Sequence, residues 1–168
     1  MEKENDLSII GQNVENEMTK IINCNEYLER YKLKLTKNDV IEIKERRAEA
    51  LRQTGRIEFG EWIVEKIIKE FCDSPYISQE NFLNTINGLI DIFYYYKNKI
   101  KISDDKLIKI MRKYYDDLAQ GDLEYLSDII GERKEDINEF CDRNIKSRTV
   151  RKNSITIFRI IKVKSREI

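Results

Sequence analysis

The chain of 168 residues balances 31 Lys and Arg against 31 Asp and Glu, and it has no histidine. That absence excludes Ser-His-Asp triads, Cys-His dyads, HExxH zinc sites and imidazole acid–base catalysis, so any enzyme here would run on carboxylates, Lys, Tyr or Cys. One proline, six glycines and 40% apolar side chains exclude a turn-rich all-β architecture and point to one helical domain with few breaks.

Residues 1–12 lack periodicity and read as a lead-in. Val14, Met18, Ile21 and Ile22 recur at helical spacing and predict a first helix ending near Asn23–Asn25. Glu26–Leu35 carries Tyr27, Leu28, Tyr31, Leu33 and Leu35 and reads as a connector packed by its aromatics. Thr36-Lys-Asn-Asp39 has the form of a capping box, from which a helix runs through Val40, Ile43, Arg47, Ala50 and Leu51 to a stop at Gly55. After a break at Arg56–Phe59, Glu61–Phe71 resumes as helix until Asp73-Ser74-Pro75. Ser78 is the expected cap of the next and longest helix, with Phe82, Ile86, Leu89, Ile90 and Phe93 on one face. Tyr94, Tyr95 and Tyr96 step about 100° apart around a helix, so at least one ring must lie near the surface. Ser103-Asp104-Asp105 opens a further helix carrying Leu107, Ile108, Met111, Tyr114 and Tyr115, which Gly121 breaks. Leu123–Gly131 and Arg133–Arg143 read as two more helices. Ser154–Val163 is β-branched and partly alternating, and its pattern is equally open to strand, helix or extension.

Charge is unevenly placed. From Arg143 onward come nine cations (Arg143, Lys146, Arg148, Arg151, Lys152, Arg159, Lys162, Lys164 and Arg166) against the single acid Glu167. That leaves +8 on the arm and −8 on the body before it. Such an arm can bind nucleic acid, with Arg148, Arg151 and Lys152 as candidate contacts, or fold back on its own acidic body. No run approaches the roughly 18 apolar residues of a membrane span, and the start MEKENDLSII is unlike a secretory signal. Cys24, Cys72 and Cys141 are isolated, with no CxxC pair. That spacing predicts a reducing cytoplasm, no disulfide framework and no cysteine-rich zinc site.

The segments GRIEFG (Gly55–Gly60), FCDSPYISQENF (Phe71–Phe82), YYYKN (Tyr94–Asn98), ISDDKLI (Ile102–Ile108) and QGDLEYLS (Gln120–Ser127), with LTKNDVIEIKERRAEAL (Leu35–Leu51) upstream, occur in that order. Together they resemble a family of small, uncharacterised bacterial proteins across roughly residues 24–127. Where similar sequences continue past GRIEFG with further glycines, this chain has Glu61-Trp62. The resemblance implies a helical, cytoplasmic bacterial protein and carries no activity with it.

Four constellations invite a chemical reading. Glu42-Ile-Lys-Glu45 and Glu58-Phe-Gly-Glu61 echo the paired ExxE carboxylates that hold Mg²⁺ in all-α nucleotide pyrophosphohydrolases. The usual closing Asp is missing, and acids this frequent also form such pairs as solvated helix faces, with Glu42 pairing to Arg46. Arg46, Arg47, Arg52 and Arg56 precede a helix–break–helix, but the second helix begins with acids that would repel phosphate, so salt-bridged arginines are the better reading. Cys72, Asp73, Ser74 and Tyr76 cluster at a helix end, where the thiol reads as a small buried hydrophobe and the polar groups as turn formers or a binding surface. The tyrosine run has the exposed phenol typical of partner interfaces, and Lys97, Lys99 and Lys101 follow it closely.

The expected fold is all-α: an irregular bundle of six or seven helices over residues 13–143, with a basic C-terminal arm over 144–168. The expected function is a non-catalytic interaction or regulatory role, binding another protein through Arg56, Glu58, Asp73, Ser74, Tyr76 and Tyr95. Second comes nucleic-acid association through the arm, and third a Mg²⁺-dependent nucleotide hydrolase. No catalytic residue, metal or cofactor is assigned, no membrane contact is expected, and self-association is left open.

Overall fold

Thr36 and Gly55 fix the ends of the longest helix by the devices their types suggest. In the computed structural model, which describes residues 17–58 and 63–139, Thr36 Oγ1 accepts the Asp39 backbone N–H at 3.2 Å. Asp39 Oδ2 in turn accepts the Thr36 N–H at 2.7 Å. The reciprocal pair satisfies two donors that the first helical turn leaves without partners. Gly55, at φ 65°, donates to the Leu51 carbonyl and closes the other end.

In chain order the helices are α1 (17–23), α2 (Asn25–Leu28), α3 (Lys37–Thr54), α4 (Ile63–Phe71), α5 (Phe82–Lys97), α6 (Asp104–Asp117), α7 (Leu123–Glu132) and α8 (134–139). The fold is all-α, and no strand occurs among the described residues. The arm, including Ser154–Val163, and residues 1–12 lie outside them.

The contacts between helices fix their directions. Glu42 meets Asn87, Arg46 meets Asp91 and Thr54 meets Asn98, so α3 and α5 run parallel. Leu123 packs at Gly88 and Gly131 at Tyr96, so α7 runs parallel to α5 on its other flank. Lys34, before α3, is hydrogen-bonded to Gln79, before α5, which means that α4 must return the chain in the opposite sense. By the same logic α6 returns it from α5 to α7. Lys66–Asp105, Phe71–Tyr115 and Asp73–Arg112 contacts hold α4 and α6 parallel to each other in the second layer. The result is two layers of helices stacked as successive hairpins, with α5 touching α3, α4, α6 and α7.

Apolar periodicity explains that centrality. Phe82, Ile86, Leu89, Ile90 and Phe93 of α5 are all buried, as are Ile63, Val64, Ile67, Ile68 and Phe71 of α4. Each such side chain contributes about 1.5–3 kcal/mol on removal from water. Tyr94 and Tyr96 are buried while Tyr95 is 54% exposed, as the 100° step requires.

Three local expectations change. The connector 26–35 contains the short helix α2 and a 3-10 turn, Glu29–Tyr31, and only part of its aromatic content is buried: Tyr27 packs on the core and Tyr31 is exposed. The longest helix is α3, with 18 residues against 16 for α5. The N-cap of α5 is Asn81 and not Ser78, because the Asn81 carboxamide accepts from the Ser78 N–H and donates to the Tyr76 carbonyl, winding the intervening loop into a turn before the helix begins.

Gly121, at φ +90°, lets the chain turn from α6 into α7 while Tyr76 lies against it: a Cβ there would stand 2.8 Å from Tyr76 Cβ and 3.1 Å from Cγ. Both the backbone angle and the contact oppose any side chain. Gly121→Ala is expected to lower stability by roughly 2 kcal/mol in chemical denaturation, whereas Gly55→Ala, with open space around its Cβ position, should cost only about half that.

Candidate functional site

Past Gly55 the chain crosses the ends of α5 and α6, and there it sets Glu58 among cations. The Glu58 side chain is 5% exposed, and both of its oxygens are engaged. Oε2 accepts from Arg47 Nη2 at 2.8 Å, Oε1 accepts from the Tyr94 hydroxyl at 2.8 Å, and Arg56 Nε lies 3.3 Å from Oε1. Arg56 also donates to Asp104 at 2.7 Å, and its guanidinium lies 5.7 Å from the Phe93 ring centre. Lys97 Nζ stands 3.2 Å from Asp104 and donates to the Ile102 carbonyl. Cation and anion thus alternate from Arg47 through Glu58, Arg56 and Asp104 to Lys97, joining α3, α5 and α6.

Burial raises the Tyr94 phenol above its ordinary value, and the adjacent Glu58 charge raises it further, so it remains a donor to that carboxylate. Burial works to raise the Asp104 carboxyl, but hydrogen bonds from Arg56 and Lys97 outweigh it and hold the group below its ordinary value. A divalent cation at Glu58 would have to displace two guanidiniums from the same carboxylate. Of the other ExxE members, Glu42 Oε1 accepts from Asn87 Nδ2 at 2.8 Å, and Glu61 lies outside the described residues. No group of three or more Cys, Asp or Glu placed to hold a metal occurs among the described residues. The arginine cluster is ion-paired: Arg46 to Asp91, Arg47 to Glu58 and Glu17, Arg52 to Glu49, and Arg56 to Asp104. Arg46 therefore pairs across to α5 and not along its own helix to Glu42.

Asp73, Ser74 and Tyr76 stand at the other end of α4. Arg112 of α6 binds the Asp73 carboxylate, the Asp116 carboxylate at 2.7 Å and the Glu70 carbonyl. Ser74 Oγ, buried, donates to Asp116 at 2.6 Å. The Tyr76 ring meets Tyr115 edge-on at 6.3 Å. The twelve residues from Asp104 to Asp116 rise about 18 Å, so Arg56 and Glu58 do not share a surface with Asp73, Ser74 and Tyr76. Cys72 and Cys24 are buried, and burial raises both thiols, which leaves little thiolate for nucleophilic attack.

Tyr95 belongs to a third place. A groove of about 830 Å³ opens along α5 between α3 and α7, and none of its lining comes from α4 or α6. Arg46, Glu49 and Gln53 line it from α3, Asp91, Ile92 and Tyr95 from α5, and Ser127 and Asp128 from α7. Lys99 Nζ sits 3.3 Å from the Tyr95 ring centre and, as hydrogen-bond partner and nearby charge, lowers the phenol from its ordinary value. Burial raises the Asp91 carboxyl against the opposing pull of Arg46 at 3.5 Å. The tyrosine run marked three lining residues in the sequence, Tyr94, Tyr95 and Tyr96, of which Tyr95 is exposed. Glu49, Asp91 and Asp128 went unmarked, because they come from three helices and share no local spacing. Arg148, Arg151 and Lys152 lie outside the described residues, and no helix among those described is long and apolar enough to cross a membrane.

Residues 20–144 match the family described as "Family of unknown function (DUF6323)", and the chain belongs to that family. The match runs past Ser127, where the motif likeness ended, through all of α8. No curated protein and no solved structure matches the chain.

Removing the Glu58 carboxylate takes from Arg47 its 2.8 Å partner and from Arg56 one of its two, leaving them Glu17 at 3.6 Å and Asp104 at 2.7 Å. Glu58→Ala should therefore destabilise the fold by about 3–5 kcal/mol, and Glu58→Gln by less. Asp104 contributes stability above its unfolded-state value near pH 4 that is lost as pH falls through its lower folded value. The deficit of Asp104→Asn against wild type, read by denaturant titration, should be full at pH 7 and vanish at strongly acidic pH.

Proposed function

We propose that this member of DUF6323 works by binding another protein in the groove over α5, as a non-catalytic interaction or regulatory module of a bacterial cytoplasm. The observation that carries the reading is the groove itself: a depression shared by three parallel helices, with Tyr95 exposed in its wall. Helices stacked in successive hairpins offer extended recessed surfaces of this kind to partners, and tyrosine supplies contact area at low entropic cost. Two of the four carboxylates that would serve a hydrolase are held otherwise, Glu58 by two arginines and a phenol and Glu42 by Asn87. Free buried thiols at Cys24 and Cys72 suit a reducing compartment. Arg56 and Glu58 serve in this reading as the brace behind the groove, and Asp73, Ser74 and Tyr76 as the closure of the opposite end.

The experiment is affinity capture of the full chain at native expression, with Tyr95→Ala and Asp128→Lys as groove variants and Asp73→Ala as a control remote from it. Retention of one specific protein, unchanged in the control and reduced at least about tenfold in both groove variants at unaltered melting temperature, is the expected outcome. Equal capture by all four chains would sink the groove as the binding surface. Mg²⁺-dependent release of pyrophosphate from nucleoside triphosphates, lost in Glu58→Gln, would replace the reading with the hydrolase.

A second reading rests on the charge segregation of the sequence: nine cations against one acid from Arg143 onward. It assigns nucleic-acid binding to Arg148, Arg151 and Lys152, and it expects salt-sensitive retention on DNA or RNA that disappears when all three are changed to Glu.

A further inference from the structure

Resting on the groove reading, we propose that the first occupant of the groove is this chain's own basic segment, Arg143–Arg166, bound in cis, which an external partner must displace. Three observations support it independently.

The groove carries unneutralised negative charge. Asp128 lines it from α7, and Glu124 and Glu132 stand one turn to either side of Asp128, all three exposed, in a helix with no basic residue. Like charges at this spacing repel one another. None of the three has an ion pair among the described residues. On the facing wall Glu49 is already paired with Arg52, and the Arg46–Asp91 contact is long and half-exposed, so it binds weakly and exchanges readily. A cationic segment laid along α7 relieves a repulsion that the folded body does not relieve by itself.

The floor matches the other half of the segment's chemistry. Ile92 and Ala50 line the groove below Tyr95. Ile155, Ile157, Ile161 and Val163 fall on one side of an extended segment, interrupted by Arg159, so that side can meet the floor while Lys162 and Lys164, on the other, meet a wall.

The last described residues also stand near the groove. In α8, Ile137 is buried, and the Asn138 carboxamide accepts the Lys101 backbone N–H at 2.8 Å, just past the end of α5. Lys134 lies close enough to Tyr95 to act on its phenol. Arg143 follows Glu139 by four residues, a reach of up to about 14 Å.

The test uses the full-length chain and carbodiimide, which joins a carboxylate to a touching lysine amine with no spacer, followed by peptide mass spectrometry. Lys152, Lys162 or Lys164 should couple to Asp128, Asp91 or Glu49 at low salt, and the yield should fall at least about fivefold in 1 M salt, where the screening length is about 3 Å. The same loss is expected in a variant carrying Arg148→Glu, Arg151→Glu and Arg159→Glu, which should also bind the captured partner more tightly than wild type. Mixing ¹⁵N-labelled with unlabelled chain separates the occupants: couplings of mixed mass would overturn the cis assignment in favour of a second copy. Absence of arm–groove coupling at low salt would overturn the proposal outright. If partner capture still depends on Tyr95 and Asp128 in that case, the groove reading survives without its cis occupant.

Discussion

A buried carboxylate, held between two guanidiniums and a phenol, is the constraint on which this arrangement of helices depends. Glu58 belongs to no helix, yet it engages α3 through Arg47 and α5 through Tyr94, and through Arg56 it reaches α6 at Asp104. Buried ion pairs seldom add net stability over apolar packing, but they are strongly selective about geometry, because a displaced partner leaves a charge in a poor solvent. Residues 56–58 therefore have one acceptable path. At the far end the same logic recurs in milder form, where Arg112 gathers Asp73, Asp116 and the Glu70 carbonyl of α4. The α4–α6 layer thus carries ion pairs at both ends, Lys66–Asp105 and Asp73–Arg112, and is filled mainly by aliphatic side chains, among them Ile67, Ile68, Leu107, Ile108 and Met111.

The elements that sequence reading locates well are those whose signal is local. Thr36 and Asp39 stand three apart because a capping box needs that spacing, and Gly55 and Gly121 take positive φ where other residues would strain. The three tyrosines had to split between core and solvent, and they do. Failures arise where a local signal has a nonlocal competitor. Ser78 has the residue type of an N-cap, but the Asn81 carboxamide reaches back to the loop and takes that place. Arg46 has Glu42 one turn away, but Asp91 of the neighbouring helix stands opposite it and Glu42 is drawn to Asn87. Side-chain pairing along a helix is weak enough, at a few tenths of a kcal/mol, for any tertiary neighbour to override it.

The six residues singled out as a binding surface illustrate the same point at the level of the site. Their types were legible as polar or aromatic groups at helix ends, but their grouping was not. Arg56 and Glu58 turn inward, Ser74 is buried against Asp116, and Tyr95 alone lines the groove. The groove's other acidic members lie 37 residues or more apart in sequence, at Glu49, Asp91 and Asp128. They come together because α3, α5 and α7 pack side by side, a fact of topology that no spacing rule contains.

That parallel packing has an electrical consequence. Each helix accumulates a partial negative charge at its C-terminal end, and in a layer where α3, α5 and α7 all point the same way the three ends add where neighbours of alternating direction would cancel. Arg52 and Arg56, Lys97, Lys99 and Lys101, and Arg133 and Lys134 lie at or just beyond those three ends. One edge of the molecule is therefore a plane of backbone carbonyl charge faced with side-chain cations. Its polarity was set when the chain adopted a stack of hairpins, before any surface residue was chosen.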